Sequence, residues 1–279
     1  MNQRLLIRRR DLLGAAVAST WWPAHAQLKS GENPEASLIW RKMRKSLFED
    51  RPIASAAEEV LVLDVPARAE DAAIVPVALR TRLVQGGPRR IDKLYLLIDN
   101  NPSPLAAVFQ FTAESGRADI ETRVRIDEYT HVRAIAELND GSLHMATRWV
   151  KASGGCSAPP GKDAQAALAT LGRMRFRVDD AGAPGQPVLA QLMISHPNNS
   201  GLAMDQSTRQ YTPAHFVRKV NVSYAGKPLL SADVDFSISE NPNFRFWFVP
   251  QGAGELKAEV VDSHELRFES RVAYAPKQL

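Results

Sequence analysis

The residue best suited to covalent chemistry is Cys156, the only cysteine in the 279-residue chain. Gly154 and Gly155 precede it, and Pro159-Pro160 follow closely. Glycine gives the backbone unusual freedom and proline interrupts a helix or a strand ladder, so the pattern favours an exposed loop. The alternative is an inert core cysteine, because free cysteines are among the most buried residues. We expect the exposed thiol, which as a thiolate is a nucleophile.

Two lysines flank this cysteine in the sequence. Lys151 and Lys162 are candidates for stabilising a thiolate or an anionic adduct, together with the N-terminus of a helix expected to begin near Asp163. The simpler interpretation is that both are solvated linker residues, and we favour it because exposed, flexible charges are screened by salt.

An enzyme site is disfavoured by the remaining chemistry-bearing residues. A cysteine enzyme needs a paired histidine base, and a mobile Gly-Gly segment is a poor platform for one; His144, in a predicted strand, is the nearest candidate. The histidines show no spacing typical of zinc ligands, so we expect no metal, and His196 and His215 are interpreted as loop and strand-entry residues. No phosphate-binding or dinucleotide motif is present, and no cofactor is expected.

The N-terminus has the pattern of an export signal. Arg9-Arg10 leads into a short apolar run that ends at Ala24-His25-Ala26. This pattern resembles a twin-arginine signal cleaved after Ala26, which predicts a periplasmic protein. Because residues 1–26 hold four arginines and one aspartate, their removal lowers the formal net charge from +4 to +1. The small remaining charge gives no support for nucleic-acid binding, and no later segment is apolar enough to span a membrane.

Beyond the signal, the pattern predicts one helix and then β-strands. In residues 35–49 the side chains of Ile39, Met43 and Leu47 recur at helical spacing and are expected to dock on the body of the protein. After residue 52 apolar residues alternate with polar ones in short runs separated by turns, which favours an antiparallel sandwich. The predicted strands of the first unit are 60–65, 74–84, 93–98, 106–112, 119–127, 131–138 and 143–150. Those of the second are 174–178, 188–195, 216–224, 228–236, 243–248, 256–261 and 266–273.

These patterns divide the chain into four parts. The parts are a signal (1–26), a helix with the first β unit (35–152), a cysteine arm with a linker helix (153–172), and a second β unit (173–279). We use the name cysteine arm for residues 153–162. The predicted fold class is all-β, with the only thiol on the connection between two sandwiches.

The order of several motifs resembles a known family. The first unit is similar to the SoxY subunit of bacterial sulfur-oxidation carriers, and the second unit is similar to SoxZ. The matching segments are 60–77, 101–104, 122–126, 132–136 and 151–156 for SoxY, and 196–202, 211–216, 220–231 and 241–246 for SoxZ. Together they resemble a fused SoxYZ-like carrier of the kind associated with quinoprotein alcohol dehydrogenases.

The resemblance implies two packed immunoglobulin-like sandwiches and a carrier that catalyses no turnover itself. It gives Cys156 the role of holding a sulfur intermediate covalently, with Gly154 and Gly155 as the pivot of a swinging arm, while separate periplasmic enzymes act on the cargo. In the SoxY family the cysteine end is a free terminus, whereas here a second domain follows Cys156. The six residues from Val150 to Cys156 allow a reach of at most about 20 Å.

Two functions therefore stand as hypotheses. The first is a periplasmic carrier that holds a sulfur-containing intermediate on Cys156 for enzymes of sulfur oxidation, thiosulfate oxidation among them, or of a quinoprotein dehydrogenase system. The second is a non-covalent adaptor for a quinoprotein dehydrogenase or its c-type cytochrome, in which the thiol is dispensable.

Overall fold

The structure is a computed structural model, and it describes residues 33–159, 164–179, 183–204 and 209–277. The predicted signal, with its cleavage after Ala26, lies outside the described residues, and so do Lys162 and Asp163. The described residues contain two α-helices, α1 (Leu38–Phe48) and α2 (Ala164–Ala169), with short 3-10 turns at Pro34–Ala36 and Ala113–Ser115. No helix in the described ranges has the length and apolar character needed to cross a membrane.

The described residues form fifteen strands. In the N-terminal half (residues 33–159) they are β1 (Ile53–Ser55), β2 (Val62–Asp64), β3 (Val75–Arg80), β4 (Ile91–Ile98), β5 (Leu105–Phe111), β6 (Ile120–Val124), β7 (Thr130–Leu138) and β8 (Leu143–Val150). In the C-terminal half (residues 164–277) they are β9 (Met174–Val178), β10 (Val188–Ile194), β11 (Val217–Tyr224), β12 (Lys227–Val234), β13 (Asn243–Phe248), β14 (Gly254–Asp262) and β15 (Arg267–Tyr274).

The strands form two sheets, which confirms the all-β prediction. The larger sheet has the order β1-β8-β7-β4-β5-β12-β11-β14-β15, and the smaller has the order β2-β3-β6-β13-β10-β9. The β1–β8 pair is parallel and the other named pairs are antiparallel. Buried and more exposed residues alternate along β6 and β10, as expected for strands with one face on a core.

Both sheets run without a break from one half of the chain to the other. β5 pairs with β12 over five residue pairs in the larger sheet, and β6 pairs with β13 in the smaller one. One buried apolar cluster extends through both halves, with the rings of Phe109 and Phe244 6.2 Å apart across the junction. The two sandwiches are therefore joined by backbone hydrogen bonds as well as by side-chain packing.

Helix α1 packs on the outer face of the larger sheet. Ser37 caps its start by accepting a hydrogen bond from the Trp40 amide at 3.1 Å. Trp40 and Phe48 are buried there, against a cluster that includes Tyr95. Docking of the helix on the body is thus confirmed. The predicted stripe was partly wrong, because Met43 and Leu47 pack against the cluster while Ile39 faces solvent.

A buried ion pair fastens the same helix. Arg133 on β7 is fully buried and holds the Asp99 carboxylate with two hydrogen bonds of 2.8 and 2.7 Å. The guanidinium also lies over the Trp40 ring, 4.4 Å from its centroid, and donates to the Pro34 carbonyl at 2.6 Å. Its charge is therefore both neutralised by a carboxylate and covered by an aromatic face.

Candidate functional site around Cys156

Cys156 is buried, with 1% of its surface exposed, so the prediction of an exposed thiol was wrong. Backbone hydrogen bonds hold the arm against the segment that follows β6: the Gly154 amide donates to Asp127 O at 2.7 Å, and the Gly155 amide to Ile126 O at 2.9 Å. On the other side, the Ser200 hydroxyl donates to the Cys156 carbonyl at 2.5 Å. The described part of the arm, residues 153–159, is thus held between the two halves of the protein.

The two glycines before Cys156 have different structural roles. Gly154 has φ +81° and open space where a Cβ would lie, so it supplies the left-handed conformation that glycine adopts readily. A Cβ on Gly155 would instead overlap the Ala72 carbonyl and would lie 2.7 Å from Ile126 O. Gly155 therefore allows close backbone contact in this structure. A role for the pair as a pivot stays a prediction.

A loop from the C-terminal half, residues 196–204, covers the arm. Asn198 in this loop is buried with φ +49°, a conformation that asparagine adopts more readily than most residues. Its side chain bonds to two elements: Nδ2 donates to Ile238 O at 2.7 Å, and Oδ1 accepts the Val217 amide at 2.8 Å. These contacts fix the loop, and the loop presents Ser200 to the Cys156 carbonyl.

Arg125 joins the two halves beside the thiol. It is 7% exposed, and its Nη1 donates to three carbonyls of the C-terminal half: Asn198 O at 2.7 Å, Ile238 O at 2.8 Å and Phe236 O at 3.0 Å. Among the described residues no carboxylate forms a salt bridge with it. The charge of the guanidinium interacts with Cys156 and with Glu240.

The surroundings of Cys156 suppress its ionisation. Burial, followed by the charges of Asp127 and Asp235, raises the pKa of the thiol to about 12, although the charge of Arg125 acts in the opposite direction. Because the thiolate is the reactive form, the thiol is held in an unreactive state at neutral pH.

The flanking residues named from the sequence lie apart from the thiol chemistry. Lys151 pairs through its backbone with residues 67–69 at the start of the arm; its role toward an anionic adduct stays a prediction, as does that of Lys162. His144 contacts Ser142 and Arg89 and lies near the opposite end of β8 from the arm. Burial lowers the pKa of His144.

A buried cluster behind the covering loop was missed by the sequence analysis. His196, His215 and Asp262 place one nitrogen or oxygen each within 4.8 Å of one another. His215 Nε2 lies 2.7 Å from Asp262 Oδ2, and the His215 ring stacks on that of His264. The residues are 19 and 47 positions apart, so no local motif marks them; the pairing of Val217 on β11 with Asp262 on β14 and the bridge between Asn199 and His215 bring them together.

The hydrogen bonds of this cluster argue against a metal centre. His196 Nδ1 accepts the Asn198 amide at 3.0 Å, so the neutral ring carries its proton on Nε2. That nitrogen, 3.5 Å from Asp262 Oδ2 and without a hydrogen-bond partner, cannot ligate a cation while it is protonated. Ligating histidines instead donate from their second nitrogen. We therefore interpret the cluster as a support for the covering loop.

Comparison with protein families identifies both halves. Residues 44–156 match the model of sulfur oxidation protein SoxY, and residues 175–273 match that of sulphur oxidation protein SoxZ. The first match ends at Cys156, and the two together cover about three quarters of the chain. A search of curated proteins found no match.

Solved structures give weaker similarities. The sulfur carrier protein SoxY from Chlorobium limicola f thiosulfatophilum is 21% identical, with 41% of this chain and 91% of that one covered and a TM-score of 0.35. The superoxide reductase (neelaredoxin) from Ignicoccus hospitalis is 13% identical, covering 46% of this chain and all of that one, with a TM-score of 0.29.

The family matches follow one another in the order of the two β units. SoxY and SoxZ domains are immunoglobulin-like β-sandwiches, in agreement with the predicted fold class. The chain is therefore a fused SoxYZ-like protein of the sulfur-oxidation carrier family, with a SoxY domain followed by a SoxZ domain.

Proposed function

We propose that this protein is a periplasmic carrier that holds a sulfur-containing intermediate covalently on Cys156 and presents it to partner enzymes. The observation that carries the proposal is the position of the only cysteine at the last residue of the SoxY match. The partners are enzymes of sulfur oxidation or of a quinoprotein dehydrogenase system with a c-type cytochrome. The protein itself is not an enzyme.

The geometry around the thiol supports a carrier more than a catalyst. The groups whose charges act on Cys156 are Asp127, Arg125 and Asp235, none of which is a base matched to a thiol, and the first and last oppose the thiolate. Once the arm leaves this position, the thiol regains a pKa of about 8.5, and a few per cent is thiolate near neutral pH. Partner enzymes then supply the chemistry, as a carrier requires.

The first test is the intact mass of protein isolated from the periplasm without reductant. We expect mass added to Cys156 by sulfur-containing groups, removed by a thiol reductant, and absent from Cys156→Ser. Isolation from the periplasm with the N-terminus beginning at residue 27 also tests the export signal. Unmodified Cys156 under conditions that load the pathway contradicts covalent carrying.

Access to the thiol is tested with the two glycines. Gly155→Ala forces a Cβ into the Ala72 carbonyl and should therefore displace the arm. Because a fall of one unit in the thiol pKa gives about ten times more thiolate, we expect Cys156 to react with iodoacetamide at least tenfold faster at pH 7.5. Gly154→Ala is the matched control, because it meets no neighbouring atom and only strains φ. Equal rates for the two variants contradict the closed arm.

The burial of Cys156 favours one alternative, a non-covalent adaptor whose thiol is dispensable. In that case the paired sandwiches dock a quinoprotein dehydrogenase or its cytochrome. A strain with Cys156→Ser separates the two functions, because it keeps the activity that depends on an adaptor and loses the one that depends on a carrier.

A further inference from the structure

The charges around the closed arm are unbalanced. Asp127 and Asp235 both act on the Cys156 thiol, against the single cation Arg125. Among the described residues no salt bridge involves either carboxylate, although the Asp235 carboxylate accepts the Phe236 amide at 2.6 Å. Two acidic groups and one basic group thus surround a sulfur atom that is removed from water.

Asp127 also takes part in holding the arm. The Asp127 carbonyl accepts the Gly154 amide, so its side chain branches from the backbone that holds the arm closed. Asp235 directly follows β12 on the other half and precedes Phe236, whose carbonyl binds Arg125. The two residues therefore belong to opposite halves of the protein, and both of their charges act on the thiol.

A neutral thiol and a loaded thiol differ in this setting. The thiol is uncharged at neutral pH, whereas a persulfide or a terminal sulfonate on the same sulfur is an anion. In a region of low dielectric constant, an added negative charge beside two carboxylates is repelled far more strongly than it is in water.

We propose that the closed arm selects the chemical state of Cys156 by charge: Asp127 and Asp235 retain the neutral thiol, and they displace a negatively charged adduct into solvent. The empty carrier then hides its thiol, and the loaded carrier offers its cargo. That the natural adduct is a sulfur cargo rests on the proposed carrier function. That a negative charge on Cys156 displaces the arm does not depend on it.

The test uses two adducts of equal size on the full-length mature protein. The Cys156 thiolate displaces iodide from iodoacetate or iodoacetamide, so an S–C bond forms as the C–I bond breaks and the thiol proton goes to solvent. The products differ only in charge, a carboxylate against an amide. Exchange of the Gly154 and Gly155 amides with deuterium, followed by mass spectrometry of the peptide around residues 151–159, reports whether the arm is closed.

We expect exchange to be slowest in the unmodified protein. It should be roughly tenfold faster with the anionic adduct than with the neutral one, the change in the opening equilibrium that corresponds to a shift of about one pKa unit. Asp127→Asn and Asp235→Asn should each reduce that ratio. Asp233→Asn is the matched control, because Asp233 is an exposed residue of β12 that pairs with Lys219.

Equal exchange for the two adducts overturns the proposal, because size alone then opens the arm. A ratio that neither aspartate variant changes overturns the assignment to these residues. If native protein never carries sulfur on Cys156 while the two adducts differ as expected, the carrier function fails and the selection by charge stands.

Discussion

Two buried arginines hold this protein together in different ways. Arg133 is fully buried in the N-terminal half, where a bidentate carboxylate and an indole ring surround it. Arg125 is almost as buried, but its partners are four backbone carbonyls of the C-terminal half. One charge is neutralised within a domain, and the other is solvated by peptide dipoles across the junction.

The difference shows what each arginine can do. Arg133 with Asp99 forms a closed unit whose field is largely cancelled, so it serves to anchor helix α1. Arg125 keeps a charge that reaches Cys156, and it depends on a loop whose position is set by Asn198. A guanidinium held by carbonyls therefore couples the thiol to the loop that covers it.

The largest effect should come from breaking the closed ion pair. Arg133→Met leaves Asp99 buried without a partner and should lower the free energy of unfolding by about 3–5 kcal/mol. Urea denaturation of the mature protein measures the loss. Adding Asp99→Leu should recover part of it, because the uncompensated charge is removed; no recovery means that the pair does not act as a unit.

Acid should destabilise the covering loop that Arg125 binds and should leave helix α1, which Arg133 anchors, unaffected. Burial lowers the pKa of His196 to about 4, helped by the charge of His215, against an unfolded value near 6.5. The unfolded chain therefore binds the proton first, and the unfolding free energy should fall by about 3 kcal/mol as pH drops from 6.5 to 4.

The control for this pH effect is His196→Asn, which keeps an acceptor near the Asn198 amide and removes the titrating ring. Its unfolding free energy should change less over the same pH window. Amide exchange in residues 196–204 should increase at pH 4.5 in the unsubstituted protein, while α1 stays protected. Equal loss of protection in both regions contradicts the comparison.

Arg125→Met should cost less than Arg133→Met. The four carbonyls that accept from Arg125 lose a donor, but no salt bridge to a buried carboxylate is broken, so we expect a loss of about 1–3 kcal/mol. Because Arg125 also fixes the covering loop, Cys156 should react faster with iodoacetamide in this variant and at an unchanged rate in Arg133→Met. A loss as large as that of Arg133→Met shows that the carbonyl-bound charge is worth as much as an ion pair.

The smallest effect concerns one hydroxyl. Ser200→Ala removes the hydrogen bond to the Cys156 carbonyl and should cost about 1 kcal/mol, with a several-fold faster alkylation of the thiol. Ser157→Ala is the matched control, because Ser157 is exposed and makes only a 3.3 Å bond to Gly154 within the arm. Identical alkylation of the two variants means that Ser200 does not hold the arm.

Local patterns predicted the strands well because alternation records which face is buried. The predicted ranges of β8, β9 and β13 agree with the observed bounds, and most others differ by one or two residues at an end. The three-residue strand β1 was missed, since so short a run shows no alternation. The joining of the sheets through β5–β12 and β6–β13 was also beyond the sequence, because strand partners are not encoded locally.

The state of the thiol could not be predicted from its neighbours in the sequence. Gly154, Gly155 and the prolines correctly ruled out a regular strand, but the residue that covers Cys156 is Ser200, 44 positions away. The four carbonyls that bind Arg125 come from residues 72 to 113 positions away. Burial here is a property of the assembled halves, so composition around the cysteine gave the wrong exposure.

The continuous sheets also determine what happens when the halves are separated. Without β12 and β13, the first half would expose β5 and β6 as open sheet edges, and the second half would expose the complementary pair. Open edges template the pairing of further chains and lead to aggregation. Expressed alone, either half should therefore be prone to self-association, and the covalent fusion ensures that each half meets its partner at a fixed one-to-one ratio during folding.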